Sequence, residues 1–263
     1  MKTAFAIAAH PDDIEFMMAG TFILLGRAGY ELHIMTLANG SCGTQTHDAE
    51  TIIRIRRGEA QEAARSVGAI YHESLVDDMA IFYEAATLAR LAAVVREVAP
   101  EIILTQSTQE YMEDHMNTTR LVLSAAFARG MPNFPTTPPQ PPISQPVTIY
   151  HALPYGLHDP LRRPVQPDLF VDITEVLPAK RAMLALHRSQ RAWLDASQGV
   201  DSYLAAMEEM ARAVGQMARA AGGPAGCACA EGWTRHLHLG YCAADADPLA
   251  AALGRDQLIW RLS

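Results

Sequence analysis

A chain of 263 residues can bury one large core, with or without an appendage. Hydrophobic residues make up 49% and charged residues 19%, the formal net charge is -8, and basic residues cluster only in short pairs such as Arg56-Arg57 and Arg162-Arg163. That balance suits a globular enzyme and argues against a nucleic-acid or anionic-membrane partner, and no apolar run approaches a membrane-spanning length.

Residues 4–9 are unbroken apolar sequence, so residues 3–9 read as a buried central strand. Pro11 has no N–H to extend the ladder, and His10, Asp12 and Asp13 therefore emerge together at the carboxyl end of that strand. In open α/β sheets ligands bind at that end. Adjacent carboxylates repel one another unless a cation is near, so Ala-His-Pro-Asp-Asp reads as half of a divalent-metal site. One Asp would hold the ion and the other would move protons. The plainer alternative is a polar strand-to-helix turn.

Residues 14–28 are helix-compatible and stop at Gly29; residues 31–37 read as a second strand, with Asn39-Gly40 as its loop. A charged amphipathic helix spans 48–67 and closes at Gly68. A third strand at 69–75, a helix at 84–98, a fourth strand at 101–105 and a helix from His115 to Arg129 follow. This rhythm predicts an α/β fold, a three-layer Rossmann-like mainly parallel sheet with helices on both faces. Seven prolines within 132–146 exclude a helix or central strand there. Strand-like segments resume at 147–152 and 168–173, so the proline-rich stretch reads as a long ordered loop of one domain rather than a linker. Together with the segment Trp233–His238, it is expected to shape the substrate pocket. Helical stretches at 175–195 and 201–220, a breaker-rich loop at 222–226 and an extended segment at 233–239 complete the chain. The expectation is one domain over 1–263, with a core to about 195 and a C-terminal helical extension beyond it.

Four scattered cysteines do not make a disulfide framework, and Cys227-Ala228-Cys229 is a weak metal signal, so free thiols are expected. The short apolar start lacks a cleavage-type segment, which favours a cytoplasmic protein.

The best source of a third ligand is Tyr111-Met112-Glu113-Asp114-His115, again on the carboxyl side of a strand. Two imidazoles and a carboxylate from His10, Asp13 and His115 would hold zinc with a position left for water. Asp114 would orient a ligating imidazole from behind, or simply cap the helix. Arg56 would reach a polar substrate group, or else pair with Glu59 on a helix surface. Asp78, after the third strand, faces the same rim and would hold substrate hydroxyls or make a turn.

Ala-His-Pro-Asp-Asp at 9–13, with Ile14-Glu15 behind it, resembles the signature of the LmbE-like (PIG-L) family of zinc-dependent N-acetylglucosamine deacetylases. Residues 112–115 are similar to its later His-Pro-Asp-His motif, Arg56-Arg57-Gly58-Glu59 to its Arg-x-x-Glu helix, and His187-Arg188-Ser189-Gln190 to its His-x-Ser-Gln segment. Asn39-Gly40 sits where that family has a Gly-containing loop, which places Asn39 among the expected substrate-binding residues. The resemblance implies His10, Asp13 and His115 as zinc ligands and Asp12 as general base. It also implies a small N-acylated substrate and a homo-oligomer of three or six chains. Iron, cobalt or manganese could replace zinc. One departure matters: Met112 stands where the family has a His that stabilises the oxyanion. His236 and His238 are the first candidates to replace it as catalytic donors, unless they simply form a polar strand face. His151, His158 and Tyr111 come after them. Rival readings are a metal-dependent esterase or an amidase on a non-sugar, a homologue without catalysis, and a nucleotide-binding Rossmann module. The last lacks Gly-x-Gly-x-x-Gly and any phosphate loop.

Overall fold

The computed structural model describes residues 2–191, 193, 202–254 and 257–260. Its centre is β1 (Thr3–Ala8), buried at every position. Even-numbered Ala4, Ala6 and Ala8 face one core and Phe5 and Ile7 the other, as the two-residue period of a strand requires. The first core is covered by α1 (Asp13–Met17), α2 (Ala19–Arg27), α3 (Ala49–Ser66) and α6 (Leu177–Leu184), with Ala211 of α7 (Ser202–Ala220) and Leu249 of α8 (Pro248–Leu253). The second is covered by α4 (Ala85–Val98) and α5 (Glu113–Ala128). Helices therefore lie on both faces, and the three-layer expectation holds.

The other strands among the described residues are β2 (Glu31–Thr36), β3 (Ile70–His72), β4 (Ile102–Thr105), β5 (Thr148–Ala152), β6 (Leu169–Asp172), β7 (Ala230–Arg235) and β8 (Leu258–Trp260). They form one sheet in the order β3-β2-β1-β4-β5-β7-β6-β8. The first five run parallel, and β7 pairs antiparallel with both β5 and β6. The chain leaves β1 toward β2 and returns to β4 on its other side. The crevice between the carboxyl ends of β1 and β4 is thus the switch point where α/β sheets bind ligands.

Four expectations change. Residues 14–28 form two helices, not one, because the backbone at Met18 (φ -132°) breaks the spiral between α1 and α2. The stretch 175–195 is helical only to Leu184 before it turns, with residues 188–191 helical again. The C-terminal part is more than a helical extension, since it contributes α7 to the first face and threads β7 into the sheet. The expected extended run 233–239 ends as a strand at Arg235.

The proline-rich stretch is an ordered excursion, and two buried arginines hold it. Arg96 donates to the carbonyls of Ala128, Arg129, Met131, Phe134 and Gln140, at 2.8–3.2 Å. Arg129 donates to those of Ala126, Gln145, Gly240 and Tyr241. The four cysteines are free thiols.

Candidate active site

Two segments at the carboxyl rim converge. His10 follows β1, His115 sits in the first turn of α5 after β4, and Asp13 opens α1. One ligand atom from each of the three lies within 4.8 Å of the others. Asp13 Oδ2 is 3.5 Å from His10 Nδ1 and 3.5 Å from His115 Nε2. The far nitrogen of each imidazole faces a carboxylate: His10 Nε2 lies 3.0 Å from Asp114 Oδ2, and His115 Nδ1 lies 3.1 Å from Glu110 Oε2. Protons on those far nitrogens leave both near nitrogens as lone pairs aimed at one point, the usual arrangement behind a metal-ligating histidine.

The electrostatics favour positive charge at that point. Burial opposes a charge on His10, yet the Asp114 and Asp13 carboxylates push its pKa up to about 10. Burial likewise opposes charge on Asp13, but the His115 and His10 imidazoles hold it well below the usual carboxylate range. His115 is raised against the same burial by Asp13 and Glu110. A cation meets the need that these shifts express. Two imidazole nitrogens and a carboxylate oxygen also match the donor set of an open zinc site. The residues present therefore fit a divalent metal.

Asp12 stands beside this triad in a left-handed backbone conformation (φ 106°) that a non-glycine residue seldom adopts. Its side chain does not cap α1. It accepts a 2.7 Å hydrogen bond from the Tyr203 hydroxyl and lies 3.6 Å from Arg56. Burial raises its pKa, with Arg56 pulling the other way and Asp13 adding to the rise. Asp12 is thus a carboxylate that accepts a proton more readily than an exposed one.

Arg56 is buried in the stripe Ile52, Arg56, Glu59, Ala60, Ala63 that α3 turns inward. Its guanidinium donates to the Pro11 carbonyl and passes under the loop after β2. A Cβ at Gly40 or Gly43 would collide with it, and Gly40 also needs its positive φ (83°). Glu59 does not pair with Arg56; it accepts from the backbone and hydroxyl of Ser189. Gln190 donates to the Gly43 carbonyl at 2.8 Å, and buried His187 meets buried Glu15 at 3.1 Å. The His-x-Ser-Gln segment is therefore the clasp that ties the chain after α6 to α1, α3 and the loop after β2.

These groups floor a cavity of about 620 Å³. His10, Asp12, Asp13, Arg56, Asp78, Met112 and His115 all line it. Asp114 lies behind His10 as expected and also accepts from the Met79 N–H at 2.7 Å. Asp78 lines the cavity but spends one oxygen on the Gly40 N–H (2.7 Å) and the other on the Cys42 N–H (2.9 Å). Asn39 does not reach it, being bonded to Asp77 and to the Ser41 N–H. His236 and His238 are not brought to the cavity either. They lie beyond the end of β7, on a separate shallow cleft. His236 pairs with buried His151 at 3.0 Å, and His238 faces Asp245 at 3.6 Å. No described residue of 132–146 or 233–238 lines the cavity. Of the candidates to replace the family's imidazole, only Tyr111 is placed at the site, its ring 5.5 Å from that of His115.

Three site residues escape sequence reasoning. Glu110 immediately precedes the motif and could have been found by widening it. Gln106, directly after β4, holds the Ala9 N–H (2.9 Å) and Asp13 (3.2 Å). Its signal is only a polar residue at a strand end. Tyr203 lies 191 positions from Asp12 and carries no local signal.

Fold and triad together define a mainly parallel α/β protein with a His-Asp-His cation site at its switch point. Residues 5–126 match the family model PIG-L, described as GlcNAc-PI de-N-acetylase. Over that segment, which runs from β1 through α5 and carries His10, Asp13 and His115, the chain is similar to the PIG-L family. It is similar to the 4-oxalmesaconate hydratase of Pseudomonas putida, 29% identical over 191 residues that cover 70% of this chain and 72% of the relative. It is 25% identical over 200 residues to the diacetylchitobiose deacetylase of Thermococcus kodakarensis, covering 72% and 70%. The crystal structure of the 4-carboxy-2-hydroxymuconate hydratase of Pseudomonas putida superposes with a TM-score of 0.74, at 25% identity, over 94% of this chain and 99% of that one. No described helix is long and apolar enough to cross a membrane.

Proposed function

We infer that the protein is a metal-dependent hydrolase that removes an N-acyl group, N-acetyl in the first instance, from a small sugar-containing or related molecule. The observation that carries this reading is the meeting of His10, Asp13 and His115 around one point on the floor of a cavity, with Asp12 beside them. His10 Nδ1, His115 Nε2 and Asp13 Oδ2 would hold the ion, with zinc as the expected metal. A bound zinc ion supplies Lewis acidity and lowers the pKa of water. Asp12 takes the proton of the attacking water and then hands it to the leaving amine. Tyr203 holds Asp12 Oδ2, and Oδ1, which has Arg56 3.6 Å away, is the oxygen that makes that transfer. Met112 offers no donor, but the Tyr111 hydroxyl does. Burial, then Asp13 and Glu110, raise its pKa, so it keeps its proton and donates to the carbonyl oxygen. Glu110 and Asp114 keep the two imidazoles in register.

The hydratase relatives make hydration of a double bond the second reading. A carboxylate-bearing substrate such as theirs wants free guanidinium or ammonium groups. Apart from imidazoles, Arg56 is the one cation lining the cavity among the described residues, and it is already engaged by Pro11 and Asp12. The cavity therefore favours amide hydrolysis. A cytoplasmic location and a homo-oligomer remain part of the proposal.

The test is acetate release from a panel of N-acetylated sugars and amines by the zinc-loaded protein. Asp12→Asn is expected to lower turnover about a hundredfold or more while zinc stays bound; His115→Ala is expected to lose the zinc. No acetate from any substrate would remove the hydrolase reading, and full activity in zinc-bound Asp12→Asn would remove Asp12 as base.

A further inference from the structure

The cavity has two unlike halves. The metal corner is polar. Running from His115 round to Asp12 is a wall of aromatic rings: Tyr111, beside His115, meets Tyr155 at 5.8 Å, Tyr155 meets Phe16 at 5.4 Å, and Phe16 meets Tyr203, which bonds Asp12, at 5.9 Å. The rim of that wall is bare, with Met79, Tyr111 and Tyr155 exposed by 62%, 60% and 44%. Large apolar side chains at a cavity mouth mark a surface that a ligand covers.

A sugar body can lay its C–H face on such rings but asks for more than that. Each hydroxyl taken from water needs a directional partner, supplied by carboxylates, amides or guanidinium groups. Here those groups are largely committed to the protein itself. Asp78 holds two loop N–H groups, Gln190 holds Gly43, Gln106 holds Ala9 and Asp13, and Arg56 holds Pro11. What the cavity presents beyond the metal corner, among the described residues, is mostly ring and thioether surface, with the Ser202 hydroxyl, the Trp193 indole N–H and Arg56 Nε as its unpartnered polar atoms.

We propose that the substrate carries an aryl or similarly flat apolar group next to its amide, and that Tyr111, Tyr155 and Phe16 form the subsite for it. This rests on the amide-hydrolase reading for the amide, and on the wall alone for the aryl group. The phenol of Tyr155 stacks against the flat group at the mouth, and Phe16 closes the inner side. Neither ring touches a metal ligand directly: Tyr155 reaches the metal side through its backbone N–H, which donates to Glu110 at 2.5 Å, and through its ring contact with Tyr111.

Calorimetric titration of the zinc-loaded protein tests the subsite without turnover. The probes are acetohydroxamate, 2-phenylacetohydroxamate and N-acetylglucosamine. The phenyl group is expected to tighten binding about tenfold or more over the methyl compound, the scale of burying one ring. Tyr155→Ala is expected to abolish most of that gain and leave acetohydroxamate affinity within twofold, which shows that the metal corner is intact. Equal affinity for the two hydroxamates overturns the proposal, as does N-acetylglucosamine binding tighter than the phenyl compound, or a phenyl gain untouched by Tyr155→Ala. A phenyl gain in a protein that hydrolyses no amide would leave the subsite standing and remove the hydrolase reading; acetate release from N-acetylglucosamine without a phenyl gain would do the reverse.

Discussion

Asp12 is held in a conformation that costs about 1–3 kcal/mol for a residue with a side chain, and the fold recovers that cost elsewhere. Its left-handed backbone aims the carboxylate away from the helix it precedes and into the cavity, where Tyr203 fixes one oxygen. Tyr203→Phe is therefore expected to lower kcat about tenfold, the worth of a hydrogen bond to a charged group, with KM within twofold and zinc content unchanged. A shift in KM alone, or loss of zinc, would show that the hydroxyl does not act through Asp12. The residues around Asp12 differ in how plainly the sequence announces them. His10, Asp12 and Asp13 are legible because a strand end, a proline and three ionisable groups fall within four positions. Tyr203 is not, because a residue joined to its partner across 191 positions leaves no periodic or local trace. His236 and His238 mislead for the opposite reason: their spacing suggests a shared face, but β7 has already ended and the pair turns toward His151 and Asp245.

At the scale of elements, the first face is locked by a carboxylate from the far end of the chain. Glu231 of β7 accepts the N–H groups of Gly20 (2.8 Å) and Thr21 (2.7 Å), so it caps α2, whose own N-terminus lacks a capping side chain. It also pairs with buried Lys180 of α6 at 2.6 Å, while Trp233 donates to Thr21. One side chain thus joins α2, α6 and β7. Glu231→Gln would leave a buried ammonium without its counter-ion, and a loss of about 3–5 kcal/mol is expected, read as a fall in Tm of about 10 °C. Adding Lys180→Met should recover much of it; no recovery would mean that the cap and not the ion pair dominates. The helices and parallel strands were legible from apolar periodicity and glycine stops. The insertion of β7 between β5 and β6 was not, since alternation marks a strand but does not name its neighbours. The break at Met18 has no sequence signal either, as no glycine or proline stands there.

For the whole molecule, the triad sutures loops from β1 and β4 at the switch point, so metal and fold stability are linked. Without a cation His10 is pushed up to about 10 from an ordinary 6.5. Its contribution is then fully present below pH 6.5 and fades as pH rises toward 10, because the folded state alone keeps the proton. A bound ion needs the same nitrogen deprotonated, so its contribution grows over that range. The gain in Tm on adding zinc is expected to rise between pH 6 and 8, and a gain that is flat or shrinks with pH would contradict the ligand set. His151 works in the other direction: burial holds it at about 4, so between pH 6.5 and 4 the unfolded chain binds the proton first and stability falls as the solution is acidified. The placement of β7 also sets an order of events during synthesis. Until residues 230–235 have left the ribosome, β5 and β6 cannot be joined and α2 has no cap. A nascent chain can assemble its first parallel strands early, but the half-sheet beyond β5 stays open until residues 230–235 emerge. Chaperone dependence should therefore concentrate in that late window.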